Sequence, residues 1–487
     1  MDWAEIAVIA QAILYVVLVA YWIGVVIVIV GEDRPPTTSL AWLLFLIVFP
    51  VIGLIFYFFL GRNWKLIYEN NPENWARVKL LDEFMTPIYE RNRADVERLA
   101  GPYLNTWFVS IGRSIRRTND AAPLPVKTLE IFPSGGEKYD RLLPELATAQ
   151  DSIHMAYFIW EQDELSKKIT DILHERLKAG VEVRIMNDYI GNFQYKKDEL
   201  KSLKHAGAEY ESDIKDLGRA NYRNHRKMVI IDGHIGYTGG INVGQEYIDG
   251  GERFPVWRDT HMRYAGQGVA ELQKLFGVRW LEVTGESIFA DKYFPAPDPP
   301  GEQGDILTQT VAQGVDDPWE SARRAHMVAI ANAKEHAWIQ SPYFIPDQGL
   351  YDVMVNAALG GIDIQLMMPG KWLDKGLPFY AAESYFKQFL QAGGKILIYQ
   401  DGFLHSKTLS VDSKVLAIGT MNLDIRALQL HKELMVWIYN EELTRRHEAI
   451  FAHDRDRCEE VTLLDVEGWS KGHRFRNSAA RLASNLL

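Results

Sequence analysis

Asn221-Tyr222-Arg223-Asn224-His225-Arg226-Lys227-Met228-Val229-Ile230-Ile231-Asp232 decides how this chain is read, because its skeleton returns. Leu404-His405-Ser406-Lys407-Thr408-Leu409-Ser410-Val411-Asp412 repeats it: His, any residue, Lys, four residues, Asp. A G-x-x-N follows each copy at the same offset, Gly239-Gly240-Ile241-Asn242 in the first and Gly419-Thr420-Met421-Asn422 in the second. Met228 to Ile231 reads as a buried strand, and His225 and Lys227 lead into it two residues apart. On a pleated strand such positions share a face, so imidazole and ammonium point into one space. Asp232-Gly233 reads as a tight hairpin turn, with His234 to Thr238 as the returning strand that delivers Asn242. Asp232 is seven residues from His225 and faces the other way on a flat strand. The motif aspartates, Asp232 and Asp412, are therefore weighed as turn and scaffold residues more than as direct reactants.

The repeat extends beyond the motif. Ala149 to Ile159 and Ala333 to Ile345 are apolar strands that both end in Tyr-Phe-Ile. An amphipathic helix follows each (Leu165 to Lys178; Gly349 to Leu359), then a strand (Gly180 to Met186; Gly361 to Met367). Strand, helix and strand in that order predict a right-handed crossover with parallel strands. The fold class expected is α/β, two sandwich domains over 126–300 and 301–487, joined around Pro295 to Gln303. The two His strands then meet at a pseudo-twofold axis and share one site.

Two apolar stretches precede the repeat. Ile6 to Val30 and Leu40 to Leu60 carry no charge, and each exceeds the ~20 residues that cross a hydrocarbon core of ~30 Å. Asp2 and Glu5 stand where a signal peptide needs basic residues, so a two-helix transmembrane hairpin over 1–60 is expected instead. Arg62, Lys65, Arg77 and Lys79 follow the second stretch, against Arg34 alone in the short loop. The positive-inside rule then places the C-terminal body, and with two spans the N-terminus, in the cytoplasm of a multi-pass membrane protein. Trp42, Tyr57 and Trp64 are placed for the interfaces, or for helix packing. Residues 61–125 read as a membrane-proximal helical linker.

Composition narrows the chemistry. A net charge of −11 on 487 residues argues against general nucleic-acid binding. Cys458 is the only cysteine, which excludes an intrachain disulfide and a cysteine zinc cluster, and no HExxH occurs among the 13 histidines. No metal and no cofactor is expected. Arg219, Arg223, Arg226 and Lys227 put four basic residues in nine, either a solvated cluster or a recruiter of anionic headgroups at a membrane face. Phe403-Leu404 and Trp372-Leu373 are candidates for acyl contact or for core. The sequence leaves a homo-oligomer open.

The doubled H-x-K-x4-D with G-x-x-N resembles the phospholipase D superfamily. The apolar N-terminal stretches, Pro50-Val51-Ile52-Gly53-Leu54, Leu60-Gly61-Arg62-Asn63, Tyr343-Phe344-Ile345-Pro346-Asp347 and Asn422-Leu423-Asp424-Ile425-Arg426 are similar to bacterial cardiolipin synthases. Where that family often has Ser and Asn, this chain has Ala427 and His431. Two imidazoles and two ammoniums around a phosphodiester suit displacement at phosphorus through a covalent phosphohistidine. Lys227, Lys407, Asn242 and Asn422 are expected to hold the non-bridging oxygens. By resemblance, the carboxylates that engage the far imidazole nitrogens are Asp259 and Glu433. The resemblance also implies phosphatidylglycerol as substrate, a lipid bilayer as partner, and cardiolipin with free glycerol as products. His225 is the expected nucleophile and His405 the acid, then base; the near-symmetry of the halves leaves the reverse open. The alternative is a membrane phospholipase D-type hydrolase, or a phosphatidyltransferase with another lipid or alcohol acceptor.

Overall fold

A computed structural model describes residues 3–32, 34, 36–63, 72–103, 106, 108–213, 221–294, 299, 302, 304–370 and 376–484. It comprises two compact units, one holding the N-terminal helices and the other nearly everything from Pro72 onward. Trp64, Lys65, Arg219, Trp372, Leu373 and most of the join at 295–303 lie outside the described residues.

In the larger unit the repeat builds two sheets with one strand order. The first runs Thr128–Phe132, His261–Ala265, Ile235–Gly239, Met228–Ile231, Ser152–Tyr157, Glu182–Asn187, Glu209–Ser212. The second runs Ile306–Gln313, Glu433–Tyr439, Val415–Gly419, Thr408–Val411, His336–Gln340, Asp363–Pro369, Lys395–Tyr399. Two extra edge strands extend it, Leu124–Val126 and Cys458–Val461. The strands joined by crossover helices pair in parallel, and the His strands pair antiparallel with both neighbours. Leu124–Val126, at the expected start of the first domain, pairs with the second sheet instead, Leu124 opposite Thr308.

Period-two alternation sorts each strand between two cores. Met228 and Ile230 of the first sheet share one apolar layer with Leu416, Ile418, Leu434, Val436 and Ile438 of the second. Val229 and Ile231 face the helices of their own half, as Leu409 and Val411 do in theirs. This inner layer holds the two halves together, and burying each such side chain stabilises by about 1.5–3 kcal/mol. The segment expected as a linker is helical over Pro72–Ala100 and Phe108–Asn119 and contributes to these cores. Met85 and Ile88 enter the inner layer, and Phe108, Ile111 and Ile115 enter the core of the second half.

The N-terminal unit departs from the two-span expectation. α1 (Trp3–Gly31) includes the one helix among the described residues that is long and apolar enough to cross a membrane, Val8–Gly31. The stretch expected as a second span is broken into α2 (Pro36–Val48) and α3 (Pro50–Phe56), the latter continuing as a wider π turn to Gly61. The break is at Phe49, whose backbone leaves the helical region (φ −127°, ψ 71°) before Pro50, which has no N–H to give. The chain then reverses. Trp42 and Tyr57 would be about 22 Å apart on a straight helix, yet their rings stack edge-on at 5.3 Å. Gly53 makes the reversal possible, since a Cβ there would lie 3.3 Å from the Leu46 Cα. The Tyr21 hydroxyl, midway along α1, donates to the Pro50 carbonyl at the tip (3.0 Å). The returning limb ends beside the start of the hairpin, where the Asn63 amide N–H donates to Glu32 (3.2 Å). Trp42 and Tyr57 thus pack on each other and on the Val25, Ile29 and Leu46 cluster.

Candidate active site

Both hairpins that follow the motifs turn through left-handed residues, Asp232 (φ 52°) with Gly233 (φ 67°), and Asp412 (φ 52°) with Ser413 (φ 54°). Ser413 lacks glycine's freedom, and the Glu448 carboxylate holds it by accepting from both its N–H and its hydroxyl. Each motif aspartate points away from the histidines. Asp232 accepts the backbone N–H groups of Gln150, Asp151 and Ser152 at 2.8–2.9 Å. Asp412 accepts those of Lys334, Glu335 and His336 at 2.9–3.0 Å. They tie the turn to the start of the neighbouring strand, which runs antiparallel to the motif strand.

The histidines are completed across the pseudo-twofold. His225 Nδ1 lies 2.9 Å from Glu433 of the second half, and His405 Nδ1 lies 2.7 Å from Asp259 of the first. Short parallel bridges between the halves set this crossing. The His225 N–H donates to the Lys432 carbonyl (2.9 Å) and the His405 N–H to the Arg258 carbonyl (2.7 Å). With Nδ1 engaged, Nε2 of each ring is left for chemistry.

Lys227 and Lys407 are almost wholly buried, and each ammonium donates to the carbonyl of its own motif histidine (2.7 Å for Lys227). Burial pushes Lys227 down to about 7 and Lys407 down to about 8, against the pull of Glu433 and Asp259. His405 is pushed down to about 4 by burial and then by Lys407, with Asp259 opposing. His225 is likewise held well below the ordinary imidazole value, by burial first and then by Lys227. The two carboxylates differ. Burial raises Glu433 to about 8. Burial acts the same way on Asp259, but Lys407, His405 and the Thr260 N–H outweigh it and hold the carboxyl below its usual value.

The supporting residues divide. The Asn242 amide is buried and occupied, accepting from the Ile159 N–H (3.2 Å) and donating to the Tyr247 hydroxyl (3.1 Å). Asn422 is buried with no hydrogen bond to its Oδ1. The Arg223 guanidinium lies 6.0 Å from the Phe158 ring, which packs edge-on to His225 at 4.7 Å. Arg226 belongs to the scaffold and not to a headgroup-recruiting surface: it is buried and donates to the carbonyls of Glu433 and Gln313 (both 3.1 Å). Phe403 and Leu404 are core.

Sequence reasoning missed three contributors. Thr420, a free position in the second G-x-x-N, donates its hydroxyl to Glu433. Its counterpart Gly240 gives Asp259 its place, since a Cβ there would come within 2.0 Å of the Asp259 carboxylate. The contrast between Gly240 and Thr420 was visible in the quoted motifs; its meaning needed the crossed partners. Phe158 is the third, hidden in the Tyr-Phe-Ile repeat.

The family model "Cardiolipin synthase, PLD-like domain" matches residues 142–252 and 327–455, one match in each half, and a "Phospholipase_D-nuclease N-terminal" model matches 19–62. "Cardiolipin synthase 2" of Bacillus anthracis is 36% identical over 474 residues, 96% of this chain and 90% of that protein. The chain belongs to the cardiolipin synthases of the phospholipase D superfamily. "Major cardiolipin synthase ClsA" of Bacillus subtilis (strain 168) is 34% identical over 95% of this chain and 96% of its own length. Among solved structures, the phosphatidylserine synthase of Haemophilus influenzae Rd KW20 matches 78% of this chain and all of its own at a TM-score of 0.61, with 13% identity, a likeness of fold. As a cardiolipin synthase the chain is a membrane-associated phosphatidyltransferase. Of the two positions where it departs from the usual family residue, Ala427 is buried and donates its N–H to Asp424 (2.9 Å), the residue that caps the short helix Ile425–Gln429. His431 accepts from the Arg426 Nε–H (3.3 Å), its ring 6.2 Å from that of His225.

Proposed function

We propose that the enzyme transfers a phosphatidyl group between two phosphatidylglycerol molecules through a phosphatidyl-histidine. The observation that carries this reading is the crossed pairing of His225 with Glu433 and His405 with Asp259, around two buried lysines. His225 Nε2 attacks phosphorus, forming the N–P bond; the P–O bond to the headgroup glycerol breaks, and the departing oxygen takes its proton from His405 Nε2. In the second step His405 removes a proton from the terminal hydroxyl of the acceptor lipid. That oxygen bonds to phosphorus as the N–P bond breaks, returning His225 neutral. Lys227 and Lys407 neutralise the non-bridging oxygens as charge builds.

The assignment of roles rests on the difference between the carboxylates. An ionised Asp259 opposes the burial and the Lys407 charge that push His405 down, and the anionic diester pulls the same way once bound, so the imidazolium that an acid needs is favoured at His405. Glu433, pushed up to about 8, leaves His225 neutral as a nucleophile must be. Catalysis on the cytoplasmic face of the inner membrane accords with the basic residues that follow Leu60. Purified protein given labelled phosphatidylglycerol alone should yield cardiolipin and glycerol in equal amounts. Isotopic glycerol should also enter phosphatidylglycerol by reversal of the first step. Phosphatidic acid as the sole product would make the protein a hydrolase, and absence of exchange would remove the covalent intermediate.

A further inference from the structure

The pseudo-twofold that relates the two histidines does not relate what lies beside them. At the His225–Glu433 bridge, Asn224 pairs in parallel with Lys432, so the residues before it, Arg223 and His431, share the face on which the histidine and glutamate meet. The Lys432 N–H donates to the Arg223 carbonyl (2.8 Å), fixing that register. At the other bridge Leu404 pairs with Arg258 and Phe403 with Trp257. The places taken by Arg223 and His431 on one side are thus taken by Phe403 and Trp257 on the other.

The two walls have opposite chemistry. Beside His405, Trp257 and Phe403 stand 5.2 and 5.6 Å from the imidazole ring, and Phe254 stacks on Phe403 at 5.0 Å. All three are buried, and this wall is closed. Beside His225 the wall is basic. Arg426 donates through Nε to His431 Nε2 (3.3 Å), which holds that imidazole as a neutral acceptor and ties the guanidinium to the site. Arg223 Nε is buried without a hydrogen bond. Asp188 faces Arg223, Asp424 faces Arg426, and Glu433 lies 3.9 Å from His431 Nδ1. Burial and then Arg223 push the Arg426 guanidinium down, and His431 is pushed down by burial, Arg426 and Arg223 in turn. Mutual repulsion among partly buried cations is what a bound anion relieves.

We infer that Arg223, Arg426 and His431 form the subsite for the phosphate of the acceptor lipid, one glycerol length from the phosphorus under attack. This inference rests on the phosphatidyl-transfer reading and deepens it. The reaction has two phosphodiesters and the histidines and lysines account for one. The second enters with the acceptor, whose attacking hydroxyl and own phosphate are the two ends of one glycerol. With its hydroxyl at His405 and its phosphate on the wall beside His225, the acceptor glycerol crosses the site in a single orientation. The subsite also gives a reason for an acceptor that carries a phosphate to be chosen over water or free glycerol.

The test separates the half-reactions. Arg223→Gln, Arg426→Gln and His431→Asn are each assayed for entry of labelled glycerol into phosphatidylglycerol, which needs no second phosphate, and for cardiolipin formation with dihexanoyl phosphatidylglycerol as acceptor. The ratio of synthesis to exchange is expected to fall roughly tenfold or more in the arginine variants, the weight of one charge-assisted hydrogen bond. The KM for the acceptor should rise, and exchange itself reports that each variant is folded. A constant ratio, with both activities falling together or neither falling, overturns the subsite. Failure of the wild-type enzyme to exchange glycerol at all would instead overturn the covalent mechanism.

Discussion

His225 and His405 differ in what stands behind them, yet the proposed reaction needs both, one as nucleophile and one as proton donor. His225→Ala and His405→Ala should each abolish cardiolipin formation, since general acid–base catalysis alone contributes roughly 10²–10⁴-fold and loss of the nucleophile removes the route. Near-normal turnover by either variant would contradict a shared site. The lysines predict a pH dependence. Burial lowers Lys227 to about 7 and Lys407 to about 8, so both ammoniums are present below those values and lost as pH rises through them. Glu433, neutral below about 8, gains negative charge over the same range. Both changes weaken binding of an anionic diester, so kcat/KM, which reports the free enzyme, should fall as pH rises from about 7 to 9. Initial rates in mixed micelles across that range measure it, and a flat profile would remove the lysines from phosphate binding.

At the scale of elements, the broken second apolar stretch offers a second topology beside the two-span hairpin. α2 has 13 residues and so rises about 20 Å, short of the ~30 Å hydrocarbon core. Its reversal at Phe49–Pro50 brings Asn63 back to Glu32, at the end of α1. Buried irregular backbone inside a bilayer must have its polar groups satisfied. The Phe49 N–H donates to Phe45, the Phe49 carbonyl accepts from Gly53, and the Pro50 carbonyl accepts from Tyr21. One span with a re-entrant hairpin would put Arg34 and Arg62 on one face and Glu5 on the other, an arrangement that also satisfies the positive-inside rule. With Cys458 replaced by Ser, Glu5→Cys should react with a membrane-impermeant thiol reagent on intact cells, while Thr37→Cys and Ser470→Cys should not. Reaction at Thr37→Cys but not at Glu5→Cys would restore the two-span hairpin.

For the whole molecule, the crossing of carboxylates makes the halves interdependent. His225 takes its partner from a strand more than 200 positions away, and the pair lies at 2.9 Å. In thermal or denaturant unfolding, His225→Ala and Glu433→Gln should therefore be coupled by about 0.5–3 kcal/mol, as residues in one network are, while His225→Ala and Asp259→Asn should be closer to additive. Equal coupling in both cycles would mean that the crossing is not the dominant contact. Since Lys227 and Lys407 supply the positive charge at the site, cardiolipin formation should also survive exhaustive chelation, with a detergent control for metal effects on lipid packing. Loss of activity restored by Mg²⁺ or Zn²⁺ would reveal a metal requirement.

What the sequence determined by itself was whatever near neighbours encode. The two-residue spacing of His225 and Lys227, the Asp-Gly turn, the alternation along Met228 to Ile231 and the return of the spacing and the alternation around His405 imply the paired α/β halves and the candidate reacting groups. Tertiary structure alone decided the partners. Glu433 and Asp259 could be named as carboxylates, but their crossing follows from the packing of two sheets through Ile230, Ile418 and Val436. The Asn242 amide is held by Ile159 and Tyr247, partners that the adjoining loops bring within reach and that the motif does not name. The apolar run from Leu40 to Leu60 carried enough length and hydropathy for a span. Its reversal depends on Gly53 meeting Leu46 and on Tyr21 reaching Pro50, contacts that residue composition does not record. The same holds for the basic wall beside His225: repeat symmetry made the halves look equivalent, and only the register of Asn224 on Lys432 and of Phe403 on Trp257 set cations on one side and aromatic rings on the other.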